Sequence, residues 1–136
     1  MNLTYQLLKS SWGIVIYLNI EEILNPDILD TDTVITESIY LRIANGINFE
    51  RSTLLKYMIP AVSEFSDEIG ARIGNQNVCY YLKVFDFSIC DFQEEGIFCA
   101  TQEWLSKYYQ FDYKEQEVIF DRIRNRYDFR FLIKQG

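Results

Sequence analysis

Histidine does not occur in this sequence. That absence excludes Ser-His-Asp and Cys-His catalysis, H-E-x-x-H zinc hydrolases and histidine-dependent di-iron bundles. Cysteine is scarce, with Cys79, Cys90 and Cys99 eleven and nine residues apart. An odd count without C-x-x-C is neither a disulfide framework nor a zinc set, so three reduced, mostly buried thiols are expected. There are two prolines and six glycines, with no linker-like stretch, repeat or low-complexity segment. One domain over residues 1–136 is therefore expected. Neither G-x-G-x-x-G nor G-x-S-x-G occurs, so the usual dinucleotide and serine-hydrolase signatures are missing. No cofactor and no metal are expected.

Long apolar runs are also lacking. The longest, Trp12 to Leu18, is followed by Asn19 and the acids Glu21 and Glu22. A membrane span needs roughly 20 mostly apolar residues. The N-terminus has no basic region ahead of a long apolar one, and Lys9 stands alone. The expectation is a soluble, cytoplasmic chain without a signal peptide.

Positive charge is missing from long segments. From Ser10 to Leu41 there is no Lys or Arg, against Glu21, Glu22, Asp27, Asp30, Asp32 and Glu37. From Pro60 to Glu103 eight acids face Arg72 and Lys83. The sign reverses in Val118 to Gly136, where Arg122, Arg124, Arg126, Arg130 and Lys134 oppose Asp121 and Asp128, a net of 5 − 2 = +3. The rest of the chain carries 8 − 18 = −10, giving the overall −7. An acidic body repels phosphate backbones and anionic lipid, so no nucleic acid and no membrane are expected as partners. A basic protein surface is the expected partner, against the plainer role of keeping the chain soluble.

What the sequence does hold is apolar material: hydrophobic residues make up 49% and aromatics 16%. Leu3 to Ser10 suits a short helix, while Trp12 to Leu18 fits a buried strand or a helix. Ile35, Ile39 and Ile43, spaced by four and followed by Gly46, predict a helix over 33–45. Leu55, Met58, Val62, Phe65, Ile69 and Ile73 predict one long helix over 49–73, capped by Asn48 and kinked at Pro60. Val78 to Ile89 reads as a strand. Phe92 to Tyr109 reads as a helix, with Asp91 and Glu94 in the places of a capping box. The tail suits either a helix start at Asp112 or a β-hairpin, Glu117 to Phe120 and Tyr127 to Ile133 around a polar turn; alternation of Tyr127, Phe129 and Phe131 favours the hairpin. The expected fold is α+β: a helical N-terminal half packed on a small antiparallel sheet, with a C-terminal β-hairpin.

Two acidic clusters are the candidate sites. Asp91, Glu94 and Glu95 crowd one short run, where capping the helix explains them more simply than paired-carboxylate catalysis. Glu64 and Glu68 are i,i+4 neighbours with Asp67 beside them, like charges that slightly weaken a helix. These six are the candidate partner-binding residues, and no catalytic residue is assigned. Arg122, Arg124 and Arg126 suit pairing with the chain's own carboxylates, or head-to-tail self-association of the basic tail with the acidic body.

The second half resembles bacterial immunity proteins of polymorphic toxin and contact-dependent growth inhibition systems. The likeness is carried by the strand YYLKVFDFSI, the run CDFQEEG, the tryptophan helix ATQEWLSKYY and the terminal VIFDRIRNRYDFRF. It implies a protein without catalytic residues that binds a cognate toxin domain, of nuclease type, in the cytoplasm of the producing cell. Two other classes remain open. An adaptor or chaperone-like subunit would need a large apolar patch. A small carboxylate-dependent enzyme would need Asp91, Glu94 or Glu95 in a deep pocket with a raised pKa.

Overall fold

The structure is a computed structural model, and it describes residues 1–113, 115 and 117–133. Strands come first. β1 (Asn2–Leu8) and β2 (Gly13–Leu24) form one antiparallel hairpin, and β3 (Thr33–Thr36) and β4 (Ile39–Ile43) form a second. Helices α1 (Arg51–Glu64) and α2 (Ser66–Ile73) then cross over to β5 (Val78–Phe87), which lies parallel to β4 and antiparallel to β2. The five strands make a mixed sheet in the order β1-β2-β5-β4-β3. Helix α3 (Gly96–Tyr109) follows, then a separate hairpin of β6 (Ile119–Asp121) and β7 (Arg126–Asp128), and the short α4 (Arg130–Ile133).

This is an α+β fold, but strands rather than helices open the chain, with β1 to β4 ahead of the first helix, and the large sheet is five-stranded and mixed rather than small and antiparallel. The segments read as helices at 3–10 and 33–45 are strands. Both were ambiguous for one reason: a spacing of four is close to a helical turn and is also an even number, so it keeps residues on one face of a strand. In β1, Leu3, Tyr5 and Leu7 turn inward while Thr4, Gln6 and Leu8 are exposed. In β4, Ile39 and Leu41 are buried. Ile35 and Ile39 do not share a helix; a tight turn at Glu37 and Ser38 separates them, closed by the Ser38 N–H donating to Thr36 Oγ1 (3.2 Å). Alternate positions 14, 16, 18 and 20 of β2 join Tyr80 and Leu82 of β5 in the core. Helices α1 and α3 cover that face. The opposite face presents Thr4, Tyr17, Lys83 and Asp86 to solvent.

The helix expected over 49–73 is present as two pieces. It runs through Pro60 and breaks at Phe65, whose φ of −101° and ψ of 16° end α1. Glu50, not Asn48, is its N-cap residue. The apolar register survives the break, since Met58, Val62, Phe65, Ile69 and Ile73 are all buried.

Glycine matters at two close approaches. A Cβ on Gly13 would lie 2.2 Å from the Leu7 carbonyl oxygen, and one on Gly96 would lie 2.8 Å from Ile14 Cγ2. At Gly13 the obstacle is backbone, held by the Leu7–Ile14 and Leu8–Gly13 register. Gly13→Ala should therefore cost about 2–3 kcal/mol, the upper part of the overpacking range. Gly46→Ala, which meets nothing within 4 Å, should stay within about 0.5 kcal/mol of the parent. Urea melts of the two variants check this; equal midpoints would refute it.

Candidate partner-binding surface

The six acidic residues separate into two groups. Asp91, Glu94 and Glu95 are half-buried and each holds a structural partner. The Gly13 N–H donates to Asp91 Oδ1 (3.1 Å), and the Val15 N–H donates to the Asp91 carbonyl (2.8 Å). Asp91 thus pins the start of β2 instead of capping a helix. The capping box does not form: α3 begins at Gly96, its N-cap residue is Glu95, and no side chain caps it. Tyr57 Oη donates to Glu94 Oε1 (3.0 Å). Burial and then this bond push the Tyr57 phenol well above its ordinary range. Glu95 pairs with Arg126 (2.6 Å) and accepts from Gln93 Nε2 (2.9 Å).

Glu64, Asp67 and Glu68 form an exposed ridge where α1 meets α2. Glu64 accepts from the buried Gln102 of α3 (3.1 Å). Asp67 and Glu68 lie in the first turn of α2, where the helix dipole favours negative charge. Neither has an ion pair among the described residues. Arg72 stands at the i+4 place that would suit Glu68, but its guanidinium donates to the Tyr109 carbonyl at the end of α3. Arg72, one turn on from Glu68, is thus engaged at the end of α3.

Beside the ridge lies a cleft of about 410 Å³ between α1 and the β6–β7 hairpin. Tyr57, Pro60, Phe129 and Leu132 contribute apolar surface, and Lys56, Arg124 and Arg126 bring positive charge. Its acids are engaged: Glu95 with Arg126, Asp128 with Arg130 (2.8 Å), and Asp121 with the backbone N–H groups of Ile123 (3.0 Å) and Arg124 (3.2 Å). Lys56 and Arg124 have no ion pair among the described residues. Glu95 lines this cleft; Asp91 and Glu94 do not.

Gln93 holds the hairpin in place, a residue that local sequence reasoning does not single out. Its buried amide clasps Tyr127 on both sides, donating to the Tyr127 carbonyl (2.7 Å) and accepting from the Tyr127 N–H (2.9 Å). The Tyr127 hydroxyl donates to the Trp12 carbonyl (2.8 Å) and accepts from the Lys9 N–H (2.9 Å). The hairpin is thereby tied to the start of the chain.

Cys79 is buried, Cys99 half-buried and Cys90 exposed, so the expectation of mostly buried thiols fails at Cys90. Burial pushes the Cys79 thiol up to about 11 and the Cys99 thiol to about 12. Both stay protonated near neutral pH, and a thiol in that state is a poor nucleophile and metal ligand. Among the described residues no group of three or more metal-ligating side chains converges, and no helix is long and apolar enough to cross a membrane. Comparison with family models, curated proteins and solved structures finds no match to the chain.

Proposed function

We propose that this chain is an immunity protein that binds and neutralises a cognate toxin domain, of nuclease type, in the cytoplasm of the cell that makes both. The observation that carries the reading is the exposed ridge of Glu64, Asp67 and Glu68, in which Asp67 and Glu68 have no ion pair among the described residues. A partner with a basic, phosphate-binding surface would supply the missing charge. The likeness of the second half to immunity proteins supports the same class. The carboxylate-enzyme alternative loses support because Asp91, Glu94 and Glu95 are each spent on a structural contact.

Charge reversal at Glu64, Asp67 and Glu68 should slow association with the cognate toxin domain by roughly tenfold or more at low salt. The salt dependence of the rate should flatten, with the circular dichroism spectrum unchanged. Stopped-flow binding measures both. A wild-type rate at low salt would leave the ridge a merely solvated face. Failure of the chain to protect cells expressing that toxin would remove the functional reading itself.

A further inference from the structure

We propose that α1 and its flanks form a self-complementary strip through which two copies of this chain pair about a two-fold axis. The end of one copy that carries Lys56 and the arginine turn meets the acidic ridge of the other.

The strip has one sign at each end. Lys56, Pro60 and Glu64 follow one another at intervals of four along α1, and therefore lie close to one face of the helix. From Lys56 to Glu64 is eight residues, about 12 Å along the axis. Arg124, on the turn between β6 and β7, lines the cleft with Lys56, and the same turn carries Arg122; both are exposed and without an ion pair among the described residues. At the Glu64 end, Asp67 and Glu68 add negative charge. Pro60, half-buried in the cleft wall, lies between the two ends.

A surface that is positive at one end and negative at the other is complementary to itself when turned through 180°. That is the symmetry of a two-fold interface, in which residue i meets j and j meets i. The turn is built to hold its position. The Asp121 carboxylate fixes the N–H groups of Ile123 and Arg124, and Asn125, in the left-handed conformation, accepts from Trp12 Nε1 (3.3 Å). On this fixed turn Ile123 is 97% exposed, an apolar side chain that a second copy would cover. Charge complementarity selects a second copy over an acidic stranger, because the required acidic surface lies on the same molecule. A basic partner would compete with the second copy for the same ridge. The pairing does not depend on the toxin reading, and its test uses this chain alone.

Sedimentation velocity at high protein concentration, in low and high salt, tests the proposal with three proteins. The wild type should show a dimer whose fraction falls several-fold as salt screens the charges. K56E/R122E/R124E, and separately E64K/D67K/E68K, should each be monomeric with an unchanged circular dichroism spectrum. An equimolar mixture should restore the dimer, because one variant is then acidic at both ends and the other basic at both. A monomeric wild type at low salt, a dimer that survives either triple reversal, or a mixture that stays monomeric would each overturn it.

Discussion

Trp104→Ala should lower the free energy of unfolding by about 3–5 kcal/mol, the range for truncating a buried aromatic. Trp104 is fully buried on α3. Its ring stacks on Tyr108 (4.6 Å between centroids, 11° between planes) and meets Tyr80 of β5 edge-on at 6.0 Å. Its Nε1–H donates to the Met1 carbonyl (2.8 Å), which also accepts from the Ile20 N–H. One side chain therefore joins α3, the central strand β5 and the residue just ahead of β1. Trp104→Phe should cost less, since it keeps most of the ring and loses mainly the hydrogen bond, worth about 1 kcal/mol. Urea unfolding followed by circular dichroism measures both. A loss below about 1 kcal/mol for the alanine variant would mean the site collapses or was never tightly packed.

Asp32→Ala should cost about 1.5–3 kcal/mol, the range for losing hydrogen bonds to a charged group. Arg42 meets Asp32 through two parallel bonds, Nε to Oδ1 (2.7 Å) and Nη2 to Oδ2 (2.8 Å). The Asp32 side chain is covered and that of Arg42 is partly exposed. The guanidinium also donates to the Asp27 carbonyl (3.0 Å) and lies 5.7 Å from the centre of the Tyr81 ring. Removing the carboxylate strands that charge. Asp32→Ala/Arg42→Met should accordingly be less destabilised than the two single changes summed. The bond to Arg42 holds the Asp32 carboxyl below its ordinary value. A depressed carboxylate contributes its full stability above its unfolded pKa of about 3.9 and loses it as pH falls through the lower folded value. The gap between wild type and Asp32→Asn should thus stay constant from neutral pH to near pH 4 and narrow below it. A gap that widens on acidification would contradict the assigned cause.

Helix α3 could be read from the sequence because its signals are local. Of the row Ile97, Thr101, Trp104, Leu105 and Tyr108, all but the exposed Tyr108 are buried, and Glu103 pairs with Lys107 at 2.8 Å. The strands at the start of the chain could not. Their inward residues repeat at intervals that also suit a helix, and the competing evidence lies in partners far along the chain: β2 meets β5 at Ile16 and Phe87. The acidic run shows the same limit. Asp91 and Glu94 have the spacing of a capping box, but the Gly13 N–H, 78 residues away, and Tyr57, 37 residues away, claim them instead. The ridge acids were visible as a cluster. Their relation to Lys56 and the arginine turn depends on tertiary placement, which no local pattern encodes.

The position of β5 at the centre of the sheet has a consequence for the order of assembly on the ribosome. The β1–β2 and β3–β4 hairpins emerge first, yet the two never pair with each other; both wait for the strand at 78–87 to enter between them. Until then β2 offers Ile14, Ile16, Leu18 and Ile20 on one face and an unpaired edge to any neighbouring nascent chain. Such a species is prone to aggregate, and the wait lengthens with the sequence separation to be closed. Slowing translation between Ile43 and Val78 should therefore lower soluble yield, whereas slowing it after Phe87 should not.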